Sequence, residues 1–552
     1  MTPRENKAGA LLDAAVARHQ AGDLAGAEVL YRHVLEGDPG NLAAHVNLGI
    51  LNLGRGHTAA ALAGADAALA RDDTHARAWN LKGLALVGGG DPRAALTCYD
   101  RALACDPSSA DAAANRAAVL LDLEDAAGAA DACRAVLRTR PDAPCHCILG
   151  LALFHQNLPT EAVAEFDAAL TLAPGMTEAH NGRANALRRL GRLEEAILGY
   201  TQAIACNPGA ADAYNNRAVA WQYLRRIPEA LADYDAALAR APAHTEARWN
   251  RGLVRLLAGD YERGFQDYEE RWRSAVMRRH ARAFSVPQWR GEDVAGKTIL
   301  IHAEQGLGDA LQFCRYVPLV AARGARVVLE VHKPLRRLLT RLPGAAVVIT
   351  SDDPPPAIDL HCPMLSLPAA FKTTVDTIPA AVPYLAPDPD VAAAWRTKLG
   401  PRRRPRVGVV WAGRPDNQND INRSMPVETL APWLAAGVEF HCLQKQVSAQ
   451  DRAWAEARGV IFHDQALADF ADTAALAASM DVVISVCTSV AHLAGALGLP
   501  TWIALCFAAD WRWLLHRADS PWYPTARLFR QPARDNWAAV AEEVAAELRK
   551  LK

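Results

Sequence analysis

No Cys-x-x-Cys pair occurs among the 11 cysteines, so the spacing that nucleates a zinc site or a redox couple is missing. No sign of charge dominates either. The 60 Lys and Arg residues against 61 Asp and Glu leave a net charge of −1, which supplies no overall field for nucleic acid or an anionic membrane. A long single-sign block is absent and the 51% hydrophobic content is ordinary, which excludes a disordered chain. The most apolar late stretch, Leu493 to Ala509, is broken by Gly498 and Pro500, short of the roughly 18 clean residues that a membrane span needs. Met1 to Ala10 carries no basic-then-apolar leader. These absences predict a soluble, cytoplasmic protein with reduced thiols, no membrane span and no nucleic-acid partner. Its 552 residues leave room for about three or four domains.

What is present first is a period. Marker residues recur at Pro39, Asp73, Pro107, Pro141, Pro174, Pro208 and Pro242, at spacings of 34, 34, 34, 33, 34 and 34 residues. Twelve before each marker lies a small residue: Ala27, Ala61, Ala95, Ala129, Ala162, Ala196 and Ala230. Twelve further back lies another: Ala15, Gly49, Gly83, Ala117, Gly150, Ala184 and Ala218. Aromatics stand eight before the marker at Tyr31, Tyr99, Phe166, Tyr200 and Tyr234. Each unit reads as two short antiparallel helices: small residues permit close approach, the aromatic fills the gap, and proline stops the second helix. One pair cannot bury its own apolar face, so the units stack into a superhelix. An atypical eighth unit carries Trp249, Gly252, Gly264 and Tyr268. The pattern resembles the tetratricopeptide repeat family over residues 8–275.

The first helices of such an array line its groove. Asn47, Asn115, Asn216 and Asn250 share one register position, and Asn80, Asn181 and Asn215 the neighbouring one. Asn both donates and accepts, so this ladder suits a peptide backbone held without reading its sequence. It is similar to the ladder in the repeats of the nucleocytoplasmic O-GlcNAc transferase. The alternative is that these residues only hydrogen-bond between helices.

Beyond Lys297 the pattern changes to short apolar runs between glycines. Thr298–Ala303, Arg326–Val331 and Ala345–Thr350 read as buried parallel strands. After a Pro-rich connector, Ile378 to Pro389, come Arg406–Ala412, Val438–Leu443, Val460–His463, Asp481–Ser485 and Thr501–Leu505. Strands alternating with helices predict two Rossmann-type lobes, so the expected fold is α plus α/β: a repeat solenoid, then lobes over 290–385 and 403–552. The first lobe is short, and the last repeats are expected to complete its wall.

Ligands of such lobes sit beyond the carboxyl ends of strands, which directs attention to four runs. After the first strand, Gly306 and Gly308 make a tight turn and Asp309 opens a helix, as ligand contact or as simple cap. Trp411-Ala412-Gly413 leads into a polar stretch with Asn419, Asp420, Asn422, Arg423 and Ser424, suited to a sugar, a phosphate or solvent. Gln444 and Lys445 follow the next strand as a donor pair. The run Cys487 to Pro500 is a strand–turn–helix in which Thr488 and Ser489 are N-cap residues and His492 falls on the first turn, on the ligand side.

The His-Leu-Ala-x-Ala-x-Gly-x-Pro run from His492 to Pro500, with the upstream Gly306-Leu307-Gly308-Asp309 turn, resembles the heptosyltransferase-type glycosyltransferases of family 9, which have the two-lobed GT-B fold. The whole arrangement resembles bacterial proteins that join tetratricopeptide repeats to such a domain, some of which modify flagellin with a nonulosonic acid. The resemblance implies Asp309 as general base, Thr488, Ser489 and His492 in the nucleotide-sugar phosphate region, and Lys445 at a basic donor position. Relatives commonly carry Asp where this chain has Cys487, a departure that bears on the sugar or ribose contact there and on donor choice.

The expected chemistry is therefore transfer from a nucleotide sugar, CMP-linked nonulosonic acid among the candidates, to a protein hydroxyl. Asp309 takes the proton while helix amides near Ser489, with Lys445 and Arg423, stabilise the leaving phosphate. No metal and no resident cofactor is required, and Asp388 and Asp390 in the connector read as linker. Two other readings are a transferase acting on lipopolysaccharide or another glycan, and an inactive repeat-containing adaptor.

Overall fold

The computed structural model describes residues 3–279, 281–354, 356–414 and 420–551. Met1, Thr2 and, in the polar stretch, Asn419 lie outside them. The chain divides into two compact units, Met1–Ala220 and Trp221–Lys552.

The first unit is an all-helical array of antiparallel pairs, from Pro3–Gln20 with Leu24–Gly37 to Thr177–Arg189 with Leu193–Cys206. Cys105 and Leu172 end their helices two residues before Pro107 and Pro174, because proline disfavours the helical conformation of the residue preceding it. Ala27, Ala61, Ala95, Ala129, Ala162 and Ala196 are fully buried, as close helix approach requires. Gly83 shows how little room there is: a Cβ there would lie 2.5 Å from the Tyr99 ring. Asp23, Asp91 and Asp125 cap second helices by accepting from Gly26, Ala94 and Gly128 amides.

Each turn from first to second helix needs one residue in the left-handed region. Gly22, Gly56, Gly90, Gly191 and Gly259 fill five of these turns, and Glu124, Asn157 and Arg225 the other three, all at positive φ.

The second unit begins within the array, continues through helices Thr245–Leu257 and Tyr261–Tyr268, and then forms two parallel sheets. The first contains β1 (Thr298–His302), β2 (Arg326–Glu330), β3 (Ala345–Ile349) and β4 (Leu360–Pro363), in the order β3-β2-β1-β4. The second contains β5 (Arg406–Val410), β6 (Glu439–Cys442), β7 (Ile461–Phe462), β8 (Val482–Val486), β9 (Thr501–Leu505) and β10 (Ala526–Arg530). Its order, β10-β9-β8-β5-β6-β7, is the doubly wound order of a complete Rossmann sheet. The first sheet follows the same order for four strands. Strands β4 and β10 were not expected: one is four residues ending in proline, the other an edge strand with two arginines.

Tyr261 and Tyr268 of the last helix pair belong to the packing of both lobes. The Trp522 indole donates to the Tyr261 hydroxyl at 3.0 Å, and Gln305 donates to the Tyr268 hydroxyl at 2.9 Å. Phe265 meets Trp511 edge to face. The last helix pair thus contacts residues of both lobes. The connector lies against the second lobe, with Tyr384 and Leu385 amides both donating to the Ala496 carbonyl. Asp388 caps Pro389–Leu399 and pairs with Arg341, which accounts for its carboxylate.

Candidate functional site

In each sheet the direction of winding reverses once, between β1 and β4 and between β5 and β8. Diverging connections open a crevice there at the carboxyl ends of the strands. The runs that follow β1, β5 and β8 meet at these two points.

Beyond β1, Gly306 precedes helix Leu307–Phe313, and its amide donates to Asp309 Oδ2 at 2.8 Å. Asp309 is therefore a cap. Its other oxygen accepts from Arg512 Nη2 at 2.5 Å, which ties the glycine turn to the opposite lobe. Arg512 also donates to Asp510 at 2.9 Å and to the Gln312 side-chain oxygen at 2.8 Å. Burial works against the charge of Arg512, but Asp510 and Asp309 outweigh it and hold its pKa raised.

Gly308 faces the helix Ser489–Ala496 directly: a Cβ there would lie 2.9 Å from His492 Cδ2 and 3.4 Å from Ser489 Cα. His492 is buried, stacks on Trp513 and shares a 2.9 Å hydrogen bond with the Tyr523 hydroxyl. Burial, with Arg512 and Arg315 nearby, holds its pKa well below the imidazole range. The expectation that His492 faces a ligand is corrected: it is a buried packing residue under the glycine turn. Thr488 occupies the N-cap position, yet its hydroxyl bonds Ser485 at 3.0 Å and caps nothing.

Three further expectations change. Trp411 is fully buried in the second-lobe core, with its indole N–H on Asp451, because a large apolar ring at a strand end packs behind the sheet. Gln444 accepts from the Trp411 amide at 2.7 Å, so it fastens the strand end. Lys445 donates to the Asp464 and Leu467 carbonyls and is spent on a loop of its own lobe. Arg423 does reach the β5–β8 crevice, pairing with Asp420 and donating to the Cys487 carbonyl at 3.4 Å. The Cys487 sulfur accepts from the Trp513 indole at 3.1 Å.

A cavity of about 280 Å³ lies at the ends of β1, β2 and β3, lined by Trp272, Arg282, His302, Glu304, Glu330 and His332 among others. Arg271, fully buried, donates to both Glu304 oxygens at 2.9 and 3.1 Å and to Ser366 at 2.8 Å. It thereby joins the β1 and β4 ends across the winding reversal. Burial pushes Glu304 up to about 7 although Arg271 pulls the other way. The Trp272 indole N–H is buried without a hydrogen-bond partner among the described residues. Such a donor beside two carboxylates suits a hydroxyl-bearing ligand. Arg512, Arg271 and Trp272 escaped the sequence reading; Trp511-Arg512-Trp513 after a strand was the available signal for the first.

In the first unit, Asn115 donates to Asn80 at 3.0 Å and Asn216 to Asn181 at 3.1 Å, each joining consecutive helix pairs. Asn215 donates to Asn216, and Asn47 accepts from Arg77 at 3.4 Å. Asn250, in the second unit, is half-buried. The ladder thus makes inter-helix bonds, and the half-buried amides keep further donor and acceptor capacity.

Comparison with known proteins places tetratricopeptide repeats at residues 18–85, 80–144, 147–211, 181–222 and 215–277. The first half of the chain is a tetratricopeptide repeat array. Protein FlbA of Caulobacter vibrioides is 29% identical over 564 residues, spanning 96% of this chain and 88% of that protein. Among solved structures, the Cut9–Hcn1 hetero-tetramer of the APC/C is 15% identical, with a TM-score of 0.42, over 48% of this chain and 52% of its own, about half its length. YrrB, described as a tetratricopeptide repeat protein with an unusual peptide-binding site, is 27% identical over 33% of this chain and 95% of its own, with a TM-score of 0.27.

Proposed function

We propose that the chain is a glycosyltransferase of GT-B type that moves a sugar from a nucleotide donor to a protein hydroxyl, the repeats recruiting the acceptor. The observation that carries this reading is the apposition of two sheets of Rossmann order. The glycine turn after β1 lies against the helix after β8, and both winding reversals carry polar groups. The donor nucleotide belongs at the β5–β8 reversal, near Arg423 and the Ser489 helix, and the acceptor hydroxyl at the first-lobe cavity. Asp309 is the assigned base; Arg512 would have to release or share it as the acceptor arrives. Flagellin is the proposed client and a CMP-linked nonulosonic acid the proposed donor, in the cytoplasm. The repeat array, and a likeness to FlbA that runs through both halves, support a joint task for array and lobes.

A second reading, an inactive adaptor, rests on the Asp309–Arg512 ion pair, which neutralises the assigned base. Intact-mass spectrometry of flagellin incubated with the protein and the activated sugar separates the two. A sugar-sized mass increment that depends on Asp309 supports transfer. Tight flagellin binding with no increment and no released nucleotide supports the adaptor.

A further inference from the structure

Arg225 sits in the turn between helices Ala211–Tyr223 and Ile227–Arg240, at φ 58°. Five equivalent turns of the array use glycine, which adopts this conformation without a Cβ penalty. An arginine here is conformationally costly, so its side chain calls for an explanation. Its guanidinium lies 5.1 Å from the centre of the Phe507 ring. Phe507 stands three residues beyond Ala504, which pairs with Val486, just as Ser489 stands three beyond Val486. Its amide is fixed by the Gln531 side chain at 2.9 Å. The end of the array thus delivers a cation to the strand-end level of the second lobe.

A second cation stands next in the chain to Gln531, whose side chain holds the Phe507 amide. Arg530, at the end of β10, pairs in register with Leu505 and, among the described residues, donates to the Trp513 and Arg517 carbonyls. Burial pushes its pKa down to about 10, and the charge of Arg225 adds to the depression. Burial likewise lowers Arg225. Neither guanidinium has a carboxylate partner among the described residues. Asp510 pairs with Arg512, Asp519 with Arg517 and Asp420 with Arg423. Two partly buried like charges without a counter-ion are an unfavourable arrangement that a bound anion would relieve.

We infer that Arg225 and Arg530 form an oxyanion site that takes the phosphoryl group of the nucleotide donor, with Arg225 supplied by the repeat array. The inference rests on the donor placement proposed above and goes beyond it, because it makes a repeat residue part of the donor site. Donor occupancy and the seating of the array's last turns on the second lobe are then linked, each favouring the other.

The test uses the full chain and isothermal titration with CMP, UDP, GDP and the corresponding free nucleosides. Arg225→Gly removes the side chain and suits the backbone, so the melting temperature is expected to hold or rise. Affinity for the preferred nucleotide is expected to fall roughly tenfold or more, with the nucleoside unaffected, and Arg225→Lys to fall less. Unchanged nucleotide affinity in Arg225→Gly overturns the inference while leaving the donor reading intact. If the wild-type chain binds none of the nucleotides, the donor reading fails and this site fails with it.

Discussion

Arg512 Nη2 and Asp309 Oδ1 stand 2.5 Å apart across the gap between the two lobes, although 203 residues separate them in sequence. The contact makes one carboxylate both a local helix cap and an inter-lobe tie. Its two roles predict different outcomes for different substitutions.

Asp309→Asn keeps the shape but removes the basic oxygen. Its single amide oxygen accepts from Gly306 or from Arg512 but not from both. Transfer is therefore expected to fall by at least about 100-fold, together with a stability loss of about 1–3 kcal/mol. Arg512→Ala instead leaves Asp309, Asp510 and Gln312 facing a void and should cost about 3–5 kcal/mol in urea denaturation. An Asp309→Asn protein with full activity would remove the residue from the reaction.

Gly308→Ala tests the contact between the glycine turn and His492. With a Cβ only 2.9 Å from the imidazole, either the ring or the turn must shift. A loss of about 1–3 kcal/mol is expected, with a weaker interaction between the lobes visible as faster amide exchange in Ser489–Ala496. Wild-type stability would mean that the two elements stand further apart than described.

His302 links stability to pH. Burial first, then His361, Arg282 and Arg271, lower its pKa to about 3. The unfolded chain takes up a proton near pH 6.5 while the folded chain does not, so stability is full above about pH 7 and falls on acidification until the folded site also protonates. The loss by pH 4.5 is on the order of 1–3 kcal/mol. His302→Gln should make the melting-temperature profile between pH 7.5 and 4.5 shallower, His492 and His463 keeping part of the slope; an equally steep profile would assign the acid sensitivity elsewhere.

The asparagine ladder predicts a binding loss without unfolding. Replacing Asn80, Asn115, Asn181 and Asn216 together by Ala removes two inter-helix bonds, each worth about 0.5–1.5 kcal/mol. Flagellin affinity, followed by surface plasmon resonance, should fall well beyond what that modest destabilisation explains. Unaltered affinity would leave the ladder as internal stitching alone.

The repeat array was legible because its cause is local and recurrent: a proline stop, a buried alanine and a left-handed turn residue return every 34 residues or so. Most strands were legible as apolar runs between glycines. The edge strand β10 was not, since Arg527 and Arg530 interrupt its apolar pattern. Site residues were harder. Lys445 and Gln444 look like ligand donors from composition, yet neighbouring carbonyls and amides claim them first. Spacing along the chain cannot reveal that Arg271 closes on Glu304 or that Arg512 closes on Asp309, because those partners meet only after both sheets are wound.

Tyr261, Phe265, Tyr268 and Arg271 lie upstream of the obvious seam where helices give way to strands, yet their partners lie downstream of it. Cutting at that seam would strip the carboxy-terminal fragment of part of its own interior and leave Glu304 buried without its guanidinium. Workable dissection of this polypeptide has to leave the final helical hairpin attached to the sheets.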